Sequence, residues 1–151
     1  MVISNKQTAQ GLNYAKFNKI KNLAIEKKLK EFENKSLSLI KKYKIDYICL
    51  AGFMKILSSS FIKRVKIPII NIHPSLLPKF KGLKTHERAI KSKQKFSGCT
   101  VHYVSEKLDS GKIILQKKVK ILKKDNPKIL ASKVLKLEHK AYSEALNLII
   151  N

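Results

Sequence analysis

Pro68-Ile69-Ile70-Asn71-Ile72-His73-Pro74 is an apolar run held between two prolines. Its length suits a strand over Ile69–Ile72: Pro68 lacks an N–H and so opens the strand, and Pro74 closes it. Upstream, Ser58 to Ser60 supply N-cap candidates for a short helix through Arg64, and Tyr47 to Ala51 reads as another strand. Strand, helix and strand at this spacing form a βαβ unit, which predicts a parallel sheet.

The same grammar extends in both directions. Val2 to Ser4 reads as a strand, Gly11 to Ile20 as a helix, and Leu23 to Ile25 as a brief apolar piece. From Leu29 to Tyr43, the apolar residues Leu29, Phe32, Leu37, Leu39 and Ile40 approximate one helical stripe with lysines opposite. Beyond the loop Ser75 to Lys84, a helix is predicted over Thr85 to Lys91 and a strand over Thr100 to Val104. Ile113, Leu115, Val119 and Ile121 partly alternate with polar neighbours, so these last strands read as an antiparallel edge. Asp125 or Asn126 as cap and Pro127 at the first helical position start a long helix carrying Leu130, Val134, Leu137, Ala141, Ala145 and Leu148.

No repeat, low-complexity linker or composition break interrupts the 151 residues, which read as a single α/β domain over positions 1–151. No basic stretch followed by an apolar run opens the chain, and the apolar segments are strand-sized, which argues against export or membrane insertion. Cys49 and Cys99 lie far apart in apolar surroundings with no partner at metal-ligand spacing. They read as buried free thiols, which suit a reducing cytoplasm.

The net charge of +23 points toward anionic partners, but its distribution argues against nucleic acid. Of the 33 basic residues only Arg64 and Arg88 are arginine, and the lysines are scattered without aromatic interleaving. Most of them read as solvated surface.

Asn71 and His73 are two residues apart at a strand end, so their side chains project from one face, next to the crevice where open parallel sheets bind ligands. Taken alone, the pair is better read as a loop-capping asparagine and a packed histidine, the default for a lone polar pair. The surrounding segment is more specific. Asn71-Ile72-His73-Pro74-Ser75-Leu76-Leu77-Pro78 followed by Gly82-Leu83-Lys84-Thr85-His86 resembles the signature of the phosphoribosylglycinamide formyltransferases. Three further stretches match in the same order: Leu50 to Leu57, Gly98 to Val104, and Leu108-Asp109-Ser110-Gly111 before Ile113 to Gln116. The resemblance covers nearly the whole chain.

It implies an open, mostly parallel Rossmann-like sheet of the formyltransferase type. It also implies transfer of a formyl group from 10-formyltetrahydrofolate to the amine of glycinamide ribonucleotide, in purine synthesis. By resemblance Asn71, His73 and Asp109 are the catalytic trio. An amine attacking a formyl carbonyl creates an oxyanion, which the Asn71 amide and a protonated His73 can stabilise by donation, and a carboxylate at Asp109 favours that protonated ring. On sequence alone Leu-Asp-Ser-Gly is ordinary turn chemistry. The resemblance further implies that Met54, Lys55, Ile56, Leu57 and Asn71 bind the folate, with Ser105, Glu106, Lys107, Leu108 and Asp109 closing the other side. It places Glu138, in a Glu-His context, against the nucleotide substrate. The four histidines lack zinc-site spacing, and no metal is assigned. The expected partners are small molecules, and the sequence assigns no oligomeric state.

The match has departures. The family's first strand and its glycine- and serine-rich phosphate loop at a helix N-terminus have no counterpart; the five glycines all fall in other segments. Met1 stands about where the family's second strand lies, which reads as truncation at the N-terminus. Lys112 replaces a usual proline, and Asn151 ends the chain early. A formyltetrahydrofolate hydrolase, a methionyl-tRNA formyltransferase, and a remnant with impaired catalysis remain as alternatives; the Pro-Ser-Leu-Leu-Pro and Gly-Leu-Lys-Thr-His context favours the purine enzyme over the hydrolase and the tRNA enzyme.

Overall fold

The structure is a computed structural model and describes residues 1–150. Its internal contacts define two compact units, Met1–Ile45 and Asp46–Asn151.

The first unit is a small α/β layer: β1 (Val2–Ser4), α1 (Gln10–Phe17), β2 (Asn22–Ala24) and α2 (Leu29–Lys42). β1 and β2 pair in parallel, with Val2 opposite Asn22 and Ser4 opposite Ala24. Leu12 and Ala15 of α1, with Ile25 and Phe32, are its buried apolar residues. The buried positions of α2 are Phe32, Glu33 and Ser36, so two polar residues complete the stripe that the apolar pattern only approximates. Ser36 fits there because its hydroxyl turns back to donate to the Phe32 carbonyl at 2.8 Å.

The second unit contains β3 (Ile48–Leu50), α3 (Ser59–Arg64), β4 (Ile69–His73), α4 (Thr85–Lys91), β5 (Phe96–Tyr103), β6 (Ile113–Lys120) and α5 (Pro127–Ile150). Its sheet runs β3-β4-β5-β6. The predicted βαβ unit is present as the parallel β3–β4 pair, and the last strands are antiparallel. The fold is mixed α/β, as the alternating pattern predicted.

Helix α5 crosses the sheet and buries Leu130, Val134, Ala141 and Ala145 against Ile70, Cys99 and Val101. Each large aliphatic side chain removed from water there contributes roughly 1.5–3 kcal/mol, and the two alanines let the helix backbone lie close. Tyr142 pins α5 to the two parallel strands: its hydroxyl lies 3.0 Å from the carbonyls of both Leu50 and Ile70. The caps are local. Ser58 Oγ accepts from Phe61 N–H at 3.0 Å, and Asn126 Oδ1 accepts from Ile129 N–H at 2.9 Å. Of the two candidates for α5, Asn126 is therefore the cap. Asp125 instead accepts from Leu122 N–H and binds the Lys133 ammonium, and these partners, the Leu122 amide foremost, hold its carboxyl below the usual range.

Two expectations need correction. Strand β5 begins at Phe96, four residues before the predicted Thr100, because Gly98 weakens the strand signal. That glycine is required by packing: a Cβ there would strike the Lys117 carbonyl across the ladder and meet Leu76 Cδ2 at 2.8 Å. Both cysteines are free thiols, but only Cys99 is buried. Cys49 is exposed because β3 is an edge strand: the residue pairs with Ile70 on the face toward α5, within reach of Tyr142, but no further strand of its sheet covers it.

Candidate active site

The site begins with strand pairing. β4 and β5 run antiparallel, with Asn71 opposite His102 and His73 opposite Thr100. The pleat therefore puts these four side chains on one face, while Ile70, Ile72 and Val101 turn to the core under α5. A register shift between Val101 and His102 in the β5–β6 ladder breaks regular pairing beside them, the kind of irregularity that re-aims side chains near functional sites.

His73, the last residue of β4, is 6% exposed. Its Nε2 lies 2.9 Å from the Phe80 carbonyl and its Nδ1 lies 3.3 Å from Asp109 Oδ2. Both ring nitrogens face oxygen acceptors. A neutral imidazole can donate at only one of them, so a ring carrying both protons satisfies the arrangement fully. Asp109 Oδ2 is itself fixed by Gly82 N–H at 2.8 Å. Gly82 and Asp109 both adopt left-handed backbone, with φ of 76° and 46°, conformations that glycine and aspartate accept most readily. The turn chemistry of Leu108-Asp109-Ser110-Gly111 thus carries a buried carboxylate onto the histidine.

Asn71 is held differently. His102 Nδ1–H donates to the Tyr103 carbonyl at 2.8 Å, leaving Nε2 as an acceptor for the Asn71 amide at 3.4 Å. Burial pushes the His102 pKa down, against the Tyr103 carbonyl and Asp109, which favours the neutral ring that this acceptor role requires. His102 Nε2 also lies 3.9 Å from Asp109 Oδ1. His102 thus orients the Asn71 amide, a role that sequence reasoning missed. The available signal was its two-residue spacing from Thr100, which mirrors that of Asn71 and His73 on an antiparallel strand.

Thr100, fully buried, secures the loop that follows His73. Its hydroxyl donates to the Ser75 carbonyl at 2.7 Å and accepts from Leu77 N–H at 3.0 Å. Gln116 of β6 donates to both Thr100 Oγ1 and the Leu77 carbonyl. The loop that presents the Phe80 carbonyl to His73 is therefore tied to two strands.

The residues expected to bind folate occupy two loops of this unit. Met54, Lys55 and Ile56 are exposed on the segment leaving β3, whereas Leu57 is buried. Glu106, Lys107 and Leu108 are exposed on the segment leaving β5, beside half-buried Ser105. Lys63 of α3 pairs with Glu106 at 3.2 Å. Met54, Ile56 and Leu108 leave apolar surface open to solvent. Glu138 on α5 stands outside the hydrogen-bond cluster of the trio. Burial pushes its carboxyl pKa up, partly offset by His139 and His73, and together with burial it helps raise the Cys99 thiol to about 11. His86 is also near: burial, then His73, lowers its pKa, and its Nδ1 is buried without a hydrogen-bond partner among the described residues.

An open α/β unit that gathers an amide, an imidazole and a carboxylate at a strand end has the makings of a transferase acting on a carbonyl carbon. Residues 1–146 match the family model described as formyl transferase. The chain is 41% identical over 153 aligned residues to the human trifunctional purine biosynthetic protein adenosine-3, covering 99% of this chain and 15% of that protein. It is 33% identical to the chloroplastic phosphoribosylglycinamide formyltransferase of Arabidopsis thaliana, covering 99% of this chain and 54% of that one. The crystal structure of phosphoribosylglycinamide formyltransferase from Anaplasma phagocytophilum superposes with a TM-score of 0.91 at 43% identity, covering 97% of this chain and 72% of that one. The chain belongs to the formyl transferase family, in the branch of the phosphoribosylglycinamide formyltransferases. No helix among the described residues is long and apolar enough to cross a membrane.

Proposed function

We propose that this chain carries the formyl-transfer centre of a phosphoribosylglycinamide formyltransferase, moving the formyl group of 10-formyltetrahydrofolate to the amine of glycinamide ribonucleotide. The observation that carries this reading is the buried His73–Asp109 contact at 3.3 Å beside the oriented Asn71 amide.

The substrate amine attacks the formyl carbon, a C–N bond forms, and the carbonyl electrons move onto oxygen. The free N–H of the Asn71 amide and a proton on His73 are the donors for that oxyanion. A preorganised donor of this kind is worth roughly 10²–10³ in rate. His73 must first exchange one of its present acceptors, Phe80 or Asp109, for the oxyanion. Collapse breaks the bond from carbon to the folate nitrogen, and the proton lost by the amine ends on that nitrogen, with His73 and Asp109 as the groups able to relay it. Met54 to Leu57 and Ser105 to Asp109 hold the folate in this reading, their exposed apolar side chains facing the pterin, and Glu138 meets the nucleotide substrate. The free, unpaired thiols accord with the cytoplasm.

The test is transfer of labelled formyl to glycinamide ribonucleotide by the parent and by His73→Ala and Asn71→Ala. Acceptor-dependent transfer lost in both variants is expected. Formate released equally with and without acceptor would contradict the reading.

A further inference from the structure

A groove of about 600 Å³ opens beside β5, its lining sharing only Phe80 with the contacts of the catalytic trio. That volume lies within the roughly 300–1,000 Å³ of small-molecule sites. Its walls carry Lys79, Lys93, Lys95 and Lys118, and its apolar surface includes Pro78 and Phe96. No aspartate or glutamate lines it. None of the four ammonium groups pairs with a carboxylate among the described residues, in contrast to Lys117 with Glu144 and Lys133 with Asp125.

Two of these lysines are already placed. Lys79 Nζ donates to Gln94 Oε1 at 3.0 Å, and the Lys118 ammonium stands 5.5 Å from the centroid of the Phe96 ring. Phe96, the first residue of β5, is 46% exposed, so an edge of aromatic surface remains open beside that charge. Like charges gathered without counter-charge repel one another, and an anion seated among them relieves the repulsion. A bare anion would leave Pro78 and Phe96 in water. A ligand with several phosphates and a flat apolar body covers both surfaces. We propose that this groove binds a nucleoside triphosphate, its phosphates among the four lysines and its base against Pro78 and Phe96.

The test is calorimetric titration of the chain with ATP at fixed ionic strength, with inorganic tripolyphosphate and a single-stranded RNA oligonucleotide as separate arms. Lys95→Gln with Lys118→Gln removes two groove charges; Lys30→Gln with Lys35→Gln removes two from exposed positions of α2. All four sites are on the surface, so folding is not at stake. The groove pair should weaken ATP by about tenfold or more, the loss of one to two charge-assisted hydrogen bonds, and the α2 pair should leave it nearly unchanged. Phe96→Ala should weaken ATP but not tripolyphosphate. Equal losses in the two lysine pairs would mean diffuse attraction to a cationic surface and overturn the site. Tripolyphosphate binding as tightly as ATP would overturn the role of the apolar wall, and displacement of ATP by RNA at equal nucleotide concentration would transfer the groove to nucleic acid.

Discussion

His73 Nδ1 and Asp109 Oδ2 lie 3.3 Å apart, with both side chains nearly excluded from water. The same carboxylate oxygen accepts from Gly82 N–H, so Asp109 has two separable functions, charge beside the histidine and an anchor for the Gly82 turn. Asp109→Asn keeps an oxygen for Gly82 and removes the charge. Formyl transfer should fall by about 10²–10⁴-fold, the usual size of a lost acid–base partner, with little change in the urea midpoint. Asp109→Ala should lower both. Transfer retained in Asp109→Asn would remove the carboxylate from the mechanism.

Thr100 bridges Ser75, Leu77 and Gln116 from a fully buried position. Thr100→Val keeps the shape and strands those partners, which should cost about 1–3 kcal/mol. Thr100→Ser should recover most of it. Urea denaturation of the three proteins checks this, and equal stability of the valine and serine variants would show the network to be dispensable.

The lowered pKa of His102 has a defined consequence for stability. The folded state resists protonation that the unfolded chain accepts near its ordinary value. Stability is therefore complete above that value and falls as pH drops through it toward the folded pKa. His86 shifts in the same direction, also through burial. Unfolding free energy should decline from about pH 7.5 to about pH 5.5, and His102→Gln, which can still accept from Asn71, should reduce that slope. An unchanged slope would mean that His102 binds its proton alike in the folded and unfolded states.

Gly98 and Gly11 make a matched comparison. A Cβ at Gly98 meets the Lys117 carbonyl, whereas one at Gly11, in the first turn of α1, meets nothing within 4 Å. Gly98→Ala should prevent normal β5–β6 pairing and lower the melting temperature sharply. Gly11→Ala should raise stability by about 0.5–1 kcal/mol, since alanine is the better helix former. Thermal melts of the two variants decide it.

The run from Pro68 to Pro74 identified the central strand because proline punctuation and an apolar stretch are local signals, and the same holds for Ser58 and for Pro127 after its cap. What escaped the sequence was set by distant backbone. The start of β5 at Phe96 was missed because nothing local discloses that Gly98 packs against the carbonyl of Lys117. His102 remained an unassigned histidine because its partnership with Asn71 depends on the β4–β5 register, which no single segment encodes. The two-unit division at residue 45 has no counterpart in composition. Asp109 was found through the family motif, since its own turn residues would have placed it at the surface, and only the left-handed backbone at 109 and Gly82 brings it inward.

The most direct test of the central claim is a single-turnover experiment with formyl-labelled 10-formyltetrahydrofolate and glycinamide ribonucleotide, comparing the parent with Asp109→Asn at equal folate occupancy. Label appearing on the glycinamide amine in the parent, and slower by about a hundredfold or more in the variant, is the predicted result. Label released as formate regardless of the acceptor, or reaching the amine equally fast in both proteins, would contradict it.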